Sequence, residues 1–422
     1  MTSVFDSKFA ERVLPFIMLA LACVAAPLVF ESRSAFSMLN AAGVYIVLAL
    51  SYNMLLGQTG LLSFGHAVYF GLGGYAAMHA MNWIEEAHYG DGGFWAGVPI
   101  GTLPIVGFAA GFLAGAIIGY PSCRRAGTPF AMISLGVGEL IAAGAFMFTS
   151  IFGGEEGVSG DRMVGPEIFG LSFGPIFEVY WFIAFWTVVA TVLMYAWTRT
   201  PLGRLANATR DNPQRVRFIG YDPDRIRYIT FIASGGFAGL AGGMAAVNYE
   251  IFTPESMGMA TSGMVLLMTY IGGTRLFWGP ILGAVLITYV QINLSDYSEG
   301  WLFYLGALFV AVVMYAPNGL SGALHDLAVG SSRKGLGQRA TAWGLAAVSM
   351  VVMLTGLVVL VELGLRRSNG YGEELRLFGL EMHYETLWPW GLGLALIVLG
   401  AVLHRALARD RAEGGMKEEI AK

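Results

Sequence analysis

The sequence predicts an all-α polytopic membrane protein with about ten to twelve transmembrane or half-membrane helices. Three observations carry this. Of 422 residues, 56% are hydrophobic and 13% charged, about half the charge of a usual soluble domain. The apolar residues gather into runs that suit a hydrocarbon core of about 30 Å, which takes roughly 20 helical residues. The runs are continuous, whereas a membrane barrel would alternate apolar and polar positions. Disorder and collagen are excluded too, because the 58 glycines have no three-residue period and apolar content is too high. A net charge of −4 offers no basic surface for nucleic acid.

The runs fall in order near 14–30, 38–56, 61–83, 97–119, 130–150, 179–198, 228–248, 258–273, 279–293, 301–316, 341–362 and 387–404. Lys8 and Arg12 precede the first, and Ala20-Leu21-Ala22-Cys23 has the look of a lipoprotein cleavage site. The run continues through Phe30, so it reads as a first transmembrane helix rather than a cleaved signal. The runs 258–273 and 279–293 are short, which suits half-helices or tilted packing helices. Cys23 and Cys123 sit in unlike surroundings with no CxxC pair, so neither a disulfide nor a zinc or redox site is expected.

Positive charge sets the orientation. With the N-terminus in the cytoplasm, 20 of the 25 Lys and Arg residues fall on cytoplasmic segments, seven of them between 199 and 227. Both termini are then cytoplasmic. Arg366 and Arg367 are the local conflict. Helices in lipid pack through small residues that let backbones approach. Gly107, Gly111, Gly115 and Gly119 form one four-residue ladder, and Gly235, Gly239 and Gly243 another. Each predicts a close helix–helix contact.

Enzymatic constellations are missing. The six histidines come without HExxH, GxSxG or paired carboxylates. None of the four lysines follows a GxxxxG pattern, so there is no P-loop. The chain is expected to be no enzyme and to hold no cofactor or metal. Its energy must come from an ion gradient or a partner. An ion-coupled secondary transporter is the alternative, but such carriers usually show acids or histidines within their spans. Here the main candidates are few, His66 and Glu139.

Glu139 lies mid-span, where a charged acid costs on the order of 2.5–3.5 kcal/mol by insertion scales. It should face a polar cavity or a partner, or be protonated; a structural bond near a helix break is the plainer reading. His66 lies about five residues into the 61–83 run. Gly60, Gly65, Gly71 and Gly73 around it suggest a broken helix whose freed carbonyls an imidazole could bond. A packing histidine is the plainer reading there. Ser63, His66, Gly73 and Glu139 are the candidate residues of a translocation path.

The segment 199–227 contains Thr200-Pro201, Asn212-Pro213 and Asp222-Pro223. Each pairs a capping side chain with a proline suited to the first helical position. Two short helices are expected, near 201–210 and 213–219, with Gly220 just past the second. Seven arginines against three aspartates leave this platform at +4. Contact with anionic headgroups would explain the charge; docking of another protein would also explain the caps.

Several blocks carry a family resemblance. Tyr52-Asn53-Met54-Leu55-Leu56-Gly57-Gln58-Thr59-Gly60 runs into Leu61-Leu62-Ser63-Phe64-Gly65-His66-Ala67, then Phe70-Gly71-Leu72-Gly73-Gly74-Tyr75-Ala76. Pro129–Leu135 follows, with Glu139 just beyond, then Gly239–Gly243, Gly272-Gly273, Gly279-Pro280 and Pro317-Asn318-Gly319-Leu320. Over roughly 38–322 the chain resembles LivM-type permeases of the branched-chain amino-acid class of ABC importers. The resemblance implies a type II-like ABC importer permease core at 38–322, after a first segment at 1–37. It makes 199–227 a cytoplasmic coupling loop, with Arg204, Arg210, Asp211, Asn212, Arg215 and Gly220 facing the ATPase side. It also implies a second homologous permease, two cytoplasmic ATP-binding subunits that hold ATP and Mg, and an extracytoplasmic substrate-binding protein in a bacterial inner membrane. The transported solute would be a branched-chain amino acid, urea, an amide or a small organic acid. The chain departs from the family at 323–422, an extension with two further hydrophobic helices.

Overall fold

Several helices start where the sequence supplies a side-chain cap. The computed structural model describes residues 2–30, 32–90, 92–166, 170, 172–297, 300–315, 318–322, 349, 352–365, 367, 374–377, 380–383 and 386–420. After α1 (Thr2–Val29), α2 (Arg33–Thr59) begins behind Ser32, whose hydroxyl accepts from Ala35 N–H at 3.2 Å. It ends at Gly60, whose φ of 72° lies in the left-handed region. Next come α3 (Ala67–Tyr89), α4 (Leu103–Ser122), α5 (Thr128–Met147), the single turn α6 (Thr149–Phe152) and α7 (Ile176–Arg199). The platform helices α8 (Pro201–Asp211) and α9 (Pro213–Phe218) lead into α10 (Pro223–Tyr249). Then follow α11 (Met259–Gly272), α12 (Gly279–Tyr297), α13 (Trp301–Tyr315), α14 (Val352–Leu365) and α15 (Leu387–Ile420).

Among the described residues, five segments are long and apolar enough to cross a membrane: α2, α4 with its preceding turn, α5, α7 and α10. The 14 residues of α11 rise only about 21 Å, less than the core thickness, as a half-helix would. The chain divides into two compact units: Met1–Tyr289 with Asn318–Ser321, and Val290–Pro317 with Gly322–Lys422.

In the first unit α10 is the central helix. Of its apolar window 89% is buried, against 33% for α5, so α5 lies at the rim. Glycine explains the enclosure. A Cβ on Gly239 would lie 2.2 Å from the Gly107 carbonyl oxygen, and one on Gly111 2.3 Å from that of Gly235. Such spacing lets two backbones touch where lipid gives no hydrophobic drive. The two ladders therefore meet each other in one α4–α10 interface, rather than marking two separate contacts. Gly73 of α3 joins it, since its Cβ would fall 2.3 Å from Gly239 Cα.

The third apolar run needs correction. Residues 61–66 are not helical, and α3 starts only at Ala67. Gly71 and Gly73 do not break the helix; they lie within continuous α3, with Gly71 under the Met257 side chain.

Two short strands were not legible in the sequence. β1 (Val158–Ser159) pairs antiparallel with β2 (Ile251–Phe252), Val158 opposite Phe252. Arg162 clamps this end of the unit. Its guanidinium donates to the carbonyls of Phe173 at 2.7 Å and Asn248 at 3.0 Å, and lies 3.6 Å from Glu250. It thereby caps the last turn of α10, and it is a fold element as well as one of the few cations outside the basic segments.

The second unit holds α13, α14, α15 and a hairpin of β3 (Glu374–Leu377) with β4 (Leu380–His383). Tyr304 donates to Glu362 Oε1 at 2.9 Å, giving that buried acid a partner. A Cβ on Gly356 would meet the Gly393 carbonyl at 2.6 Å, so α14 and α15 pack through glycine as well. Arg333, Lys334, Arg339, Arg366 and Lys422 of the charge argument lie outside the described residues.

Candidate functional site

Two sites far apart in the chain stand next to each other in space: the break between α2 and α3, and the platform of α8 and α9. The break doubles back along α2. His66 Nε2 lies 3.0 Å from the Ser51 hydroxyl, eight residues inside the end of α2, or about 12 Å at 1.5 Å per residue. The non-helical stretch 61–66 would leave orphan backbone groups in an apolar interior, a costly state. Side chains from three helices meet them. Tyr52 on α2 donates to the Ser63 carbonyl at 3.0 Å, and Phe64 N–H donates to Ser134 Oγ on α5 at 3.1 Å. Ala67 N–H donates to Ser262 Oγ on α11 at 3.0 Å.

His66 therefore bonds a hydroxyl, while the freed carbonyl goes to Tyr52; the expected histidine–carbonyl bond is not formed. The proton inventory fixes the tautomer. Ser51 gives its hydrogen to the Leu48 carbonyl at 2.7 Å, so it must accept from an Nε2–H imidazole. That leaves Nδ1 buried and, among the described residues, without a partner, as is Ser63 Oγ. The ring stands edge-on to Tyr52 with centroids 5.1 Å apart. Gly65 fits because its Cβ would lie 2.2 Å from the Ser134 carbonyl.

The structure brings Ser63 and His66 together in this break. Gly73 lies instead in the α3–α10 contact. Glu139 follows Gly138, which packs on Gly65, yet its own side chain is exposed on α5 beside Leu140, and no partner within the described residues holds it. Sequence reasoning missed Tyr52, Ser134 and Ser262 as the residues that hold the break. A glycine-flanked gap between helices was the available signal, because its backbone groups need partners.

A separate cavity of about 570 Å³ opens between α1, α2, α7 and α12, lined by Leu19, Ala42, Ile183 and Val285 among others. It offers little to a polar solute. Its Thr187 hydroxyl already donates to the Ile183 carbonyl and its Tyr180 to the Cys23 carbonyl.

The platform matches its sequence expectation to within a residue or two. Thr200 caps α8, Asn212 caps α9 and Asp222 caps α10, each side chain accepting a backbone N–H at 3.0–3.1 Å. Ala206, Val216 and Ile226 form a small core beneath. Gly220 has φ 89°, where a side chain would be strained. The arginines divide by role. Arg217 and Arg227 pair with Asp224, and Arg225 with Asp222. Arg204 and Arg215 are exposed, their side chains unpaired among the described residues. Arg210 turns inward: it pairs with Asp211 at 3.0 Å and donates to the Gly57 carbonyl at the end of α2. Beside the free cations, Phe218 is 88% exposed and Ile219 64%, an apolar pair the sequence reading did not single out.

At the same end of the first unit, the glycine blocks meet. A Cβ on Gly319 would lie 2.4 Å from Gly273 Cα, and Arg275 donates to Asn318 at 3.1 Å. The motif around Asn318 thus folds back onto the α11–α12 turn.

A multi-pass bundle with a non-helical break between two of its helices and a capped platform on one face suits a membrane transport permease. The chain belongs to the family of branched-chain amino acid transport system permease components, whose model matches residues 34–316. It is 30% identical over 338 residues to the high-affinity branched-chain amino acid transport permease LivM of Salmonella typhimurium, covering 75% of this chain and 76% of that one. The LivM protein of Escherichia coli K12 is 29% identical over the same shares. The LivH permease of Escherichia coli K12 is 22% identical, over 66% of this chain and 91% of its own length. No solved structure matches.

Proposed function

We propose that this chain is one of two permeases in an ATP-driven importer of a bacterial inner membrane, with both termini cytoplasmic. The single observation that carries the reading is the platform. Three capped helix starts, a core of its own and exposed Phe218 and Ile219 beside Arg204 and Arg215 make an ordered protein-docking face. A segment that only touched headgroups would need neither caps nor core. The occupant is a cytoplasmic ATP-binding subunit, one for each permease, and ATP and Mg belong to those subunits. An ion-coupled carrier gains no favouring observation.

The second permease covers the exposed face of α5. A carboxylate at mid-helix facing lipid would cost on the order of 2.5–3.5 kcal/mol. Glu139 is therefore read as facing water or polar groups where two permeases meet, on the solute path. His66 and Ser63, behind α5, line the break that would move when the path opens. The solute is small and polar: a branched-chain amino acid, urea, an amide or a small organic acid. A binding protein outside selects it.

Purification of the tagged chain from its own host tests the assembly. One related permease and two ATP-binding subunits per chain are expected, and a chain that purifies with no ATP-binding subunit contradicts it. Orientation has its own test. Cysteines placed at Glu156 and Arg215 should label from opposite sides of intact cells. Native Cys123 stays silent, because burial pushes its thiol up to about 12 although Arg227 pulls it partly back.

A further inference from the structure

We propose that Arg210 is a positioning residue that latches the platform to the end of α2 and so to the broken segment 60–66. This rests on the transport reading above but concerns a contact within the chain. In α2 the Gly60 N–H donates to the Leu56 carbonyl and the Leu61 N–H to that of Leu55. The Thr59 hydroxyl also donates to the Leu55 carbonyl. The Gly57 carbonyl is left in the last turn, where helical partners run out. Helix C-termini favour a cation, yet α2 has no basic residue in its last turn. Arg210 of α8 supplies one from 153 positions away.

The geometry ties the arginine to the hinge itself. A Cβ on Gly60 would lie 3.0 Å from Arg210 Cγ, so the aliphatic stem crosses the left-handed residue at which α2 ends. The guanidinium Nε and Nη2 each lie 3.0 Å from Asp211 Oδ1. One side chain thus touches the platform, the last turn of α2 and the first residue of the break. Four and seven residues further on, the amides of Phe64 and Ala67 are held by Ser134 on α5 and Ser262 on α11. A shift of the platform would pull on this segment directly.

Arg210 and Arg215 therefore act differently, although both are platform arginines. The test compares Arg210→Ala, Arg210→Lys and Arg215→Glu in the full complex, with two readouts. Hydrogen exchange of the amides from Gly60 to Ala67 should rise about tenfold in Arg210→Ala, while α4 and α10 stay protected. Arg210→Lys, whose ammonium can still reach the Gly57 carbonyl, should restore most of the protection. Uptake per ATP hydrolysed should fall in Arg210→Ala with ATP-binding subunits still attached; Arg215→Glu should instead lose those subunits and leave exchange at 60–67 unchanged. Unaltered exchange in Arg210→Ala overturns the latch. So does loss of the subunits in that variant with exchange unaltered, which makes Arg210 a docking residue. Exchange needs no ATP, so a failure of the ATP-driven reading leaves the exchange result standing by itself.

Discussion

The backbone N–H of Phe64 donates to the hydroxyl of Ser134 at 3.1 Å, so a side chain on α5 completes a hydrogen bond that the broken segment cannot complete within itself. Ser134 passes its own hydrogen to the Ala131 carbonyl at 2.8 Å, which leaves its lone pairs free for the amide. Replacing it by alanine strands a buried donor at a cost of about 1–3 kcal/mol. Ser134→Ala should lower the unfolding midpoint of the purified permease accordingly. Ser134→Ala with Ser262→Ala should not be additive, because both hold one segment. A wild-type midpoint in the single variant would show that the amide finds another partner.

The α4–α10 contact should tolerate no side chain. Gly239→Val places carbon where the Gly107 carbonyl sits 2.2 Å from an ideal Cβ. It should yield no folded permease in detergent, judged by size-exclusion profile. Gly263→Ala is the control, since nothing lies within 4 Å of its Cβ; in a helix it should be neutral or stabilising by about 0.5–1 kcal/mol.

Arg162→Met keeps much of the stem but removes the donors that satisfy the Phe173 and Asn248 carbonyls. Hydrogen bonds from a charged group are worth about 1.5–3 kcal/mol each, so a loss of about 3 kcal/mol is expected in denaturant titration. Proteolysis near 158–174 and 248–252 should rise before the rest of the fold opens.

Phe218 buries little in the isolated chain, so Phe218→Asp should leave its unfolding midpoint unchanged. Binding of an ATP-binding subunit should weaken by about 2 kcal/mol or more, the scale of an aromatic hot spot. Titration of that subunit onto the permease measures it. Equal affinity in the variant would move the docking face elsewhere.

Much of this was legible in the sequence because membrane helices and caps are local signals. The platform came from Thr200, Asn212 and Asp222 each before a proline, and the helix starts fall there. The glycine ladders announced close packing, but not that they face each other, since pairing is a tertiary fact. His66 was placed within a helix because apolar composition runs unbroken through 61–83; hydropathy reports depth, not dihedral angles. The inward turn of Arg210 was invisible for a related reason: charge marks a residue as basic, and only the fold decides that its partner is the Gly57 carbonyl. Residues 158–159 and 251–252 are too short to show strand alternation.

The central claim is that this permease is driven by ATP through its platform. Uptake of a labelled branched-chain amino acid into right-side-out vesicles, with the complete transporter and its binding protein, tests it most directly. Two conditions decide: ATP loaded inside with ionophores present, and an imposed proton or sodium gradient without ATP. The account predicts uptake in the first, lost when Phe218→Asp is introduced, and none in the second. Uptake driven by the gradient alone, and abolished by ionophores even with ATP inside, would contradict it.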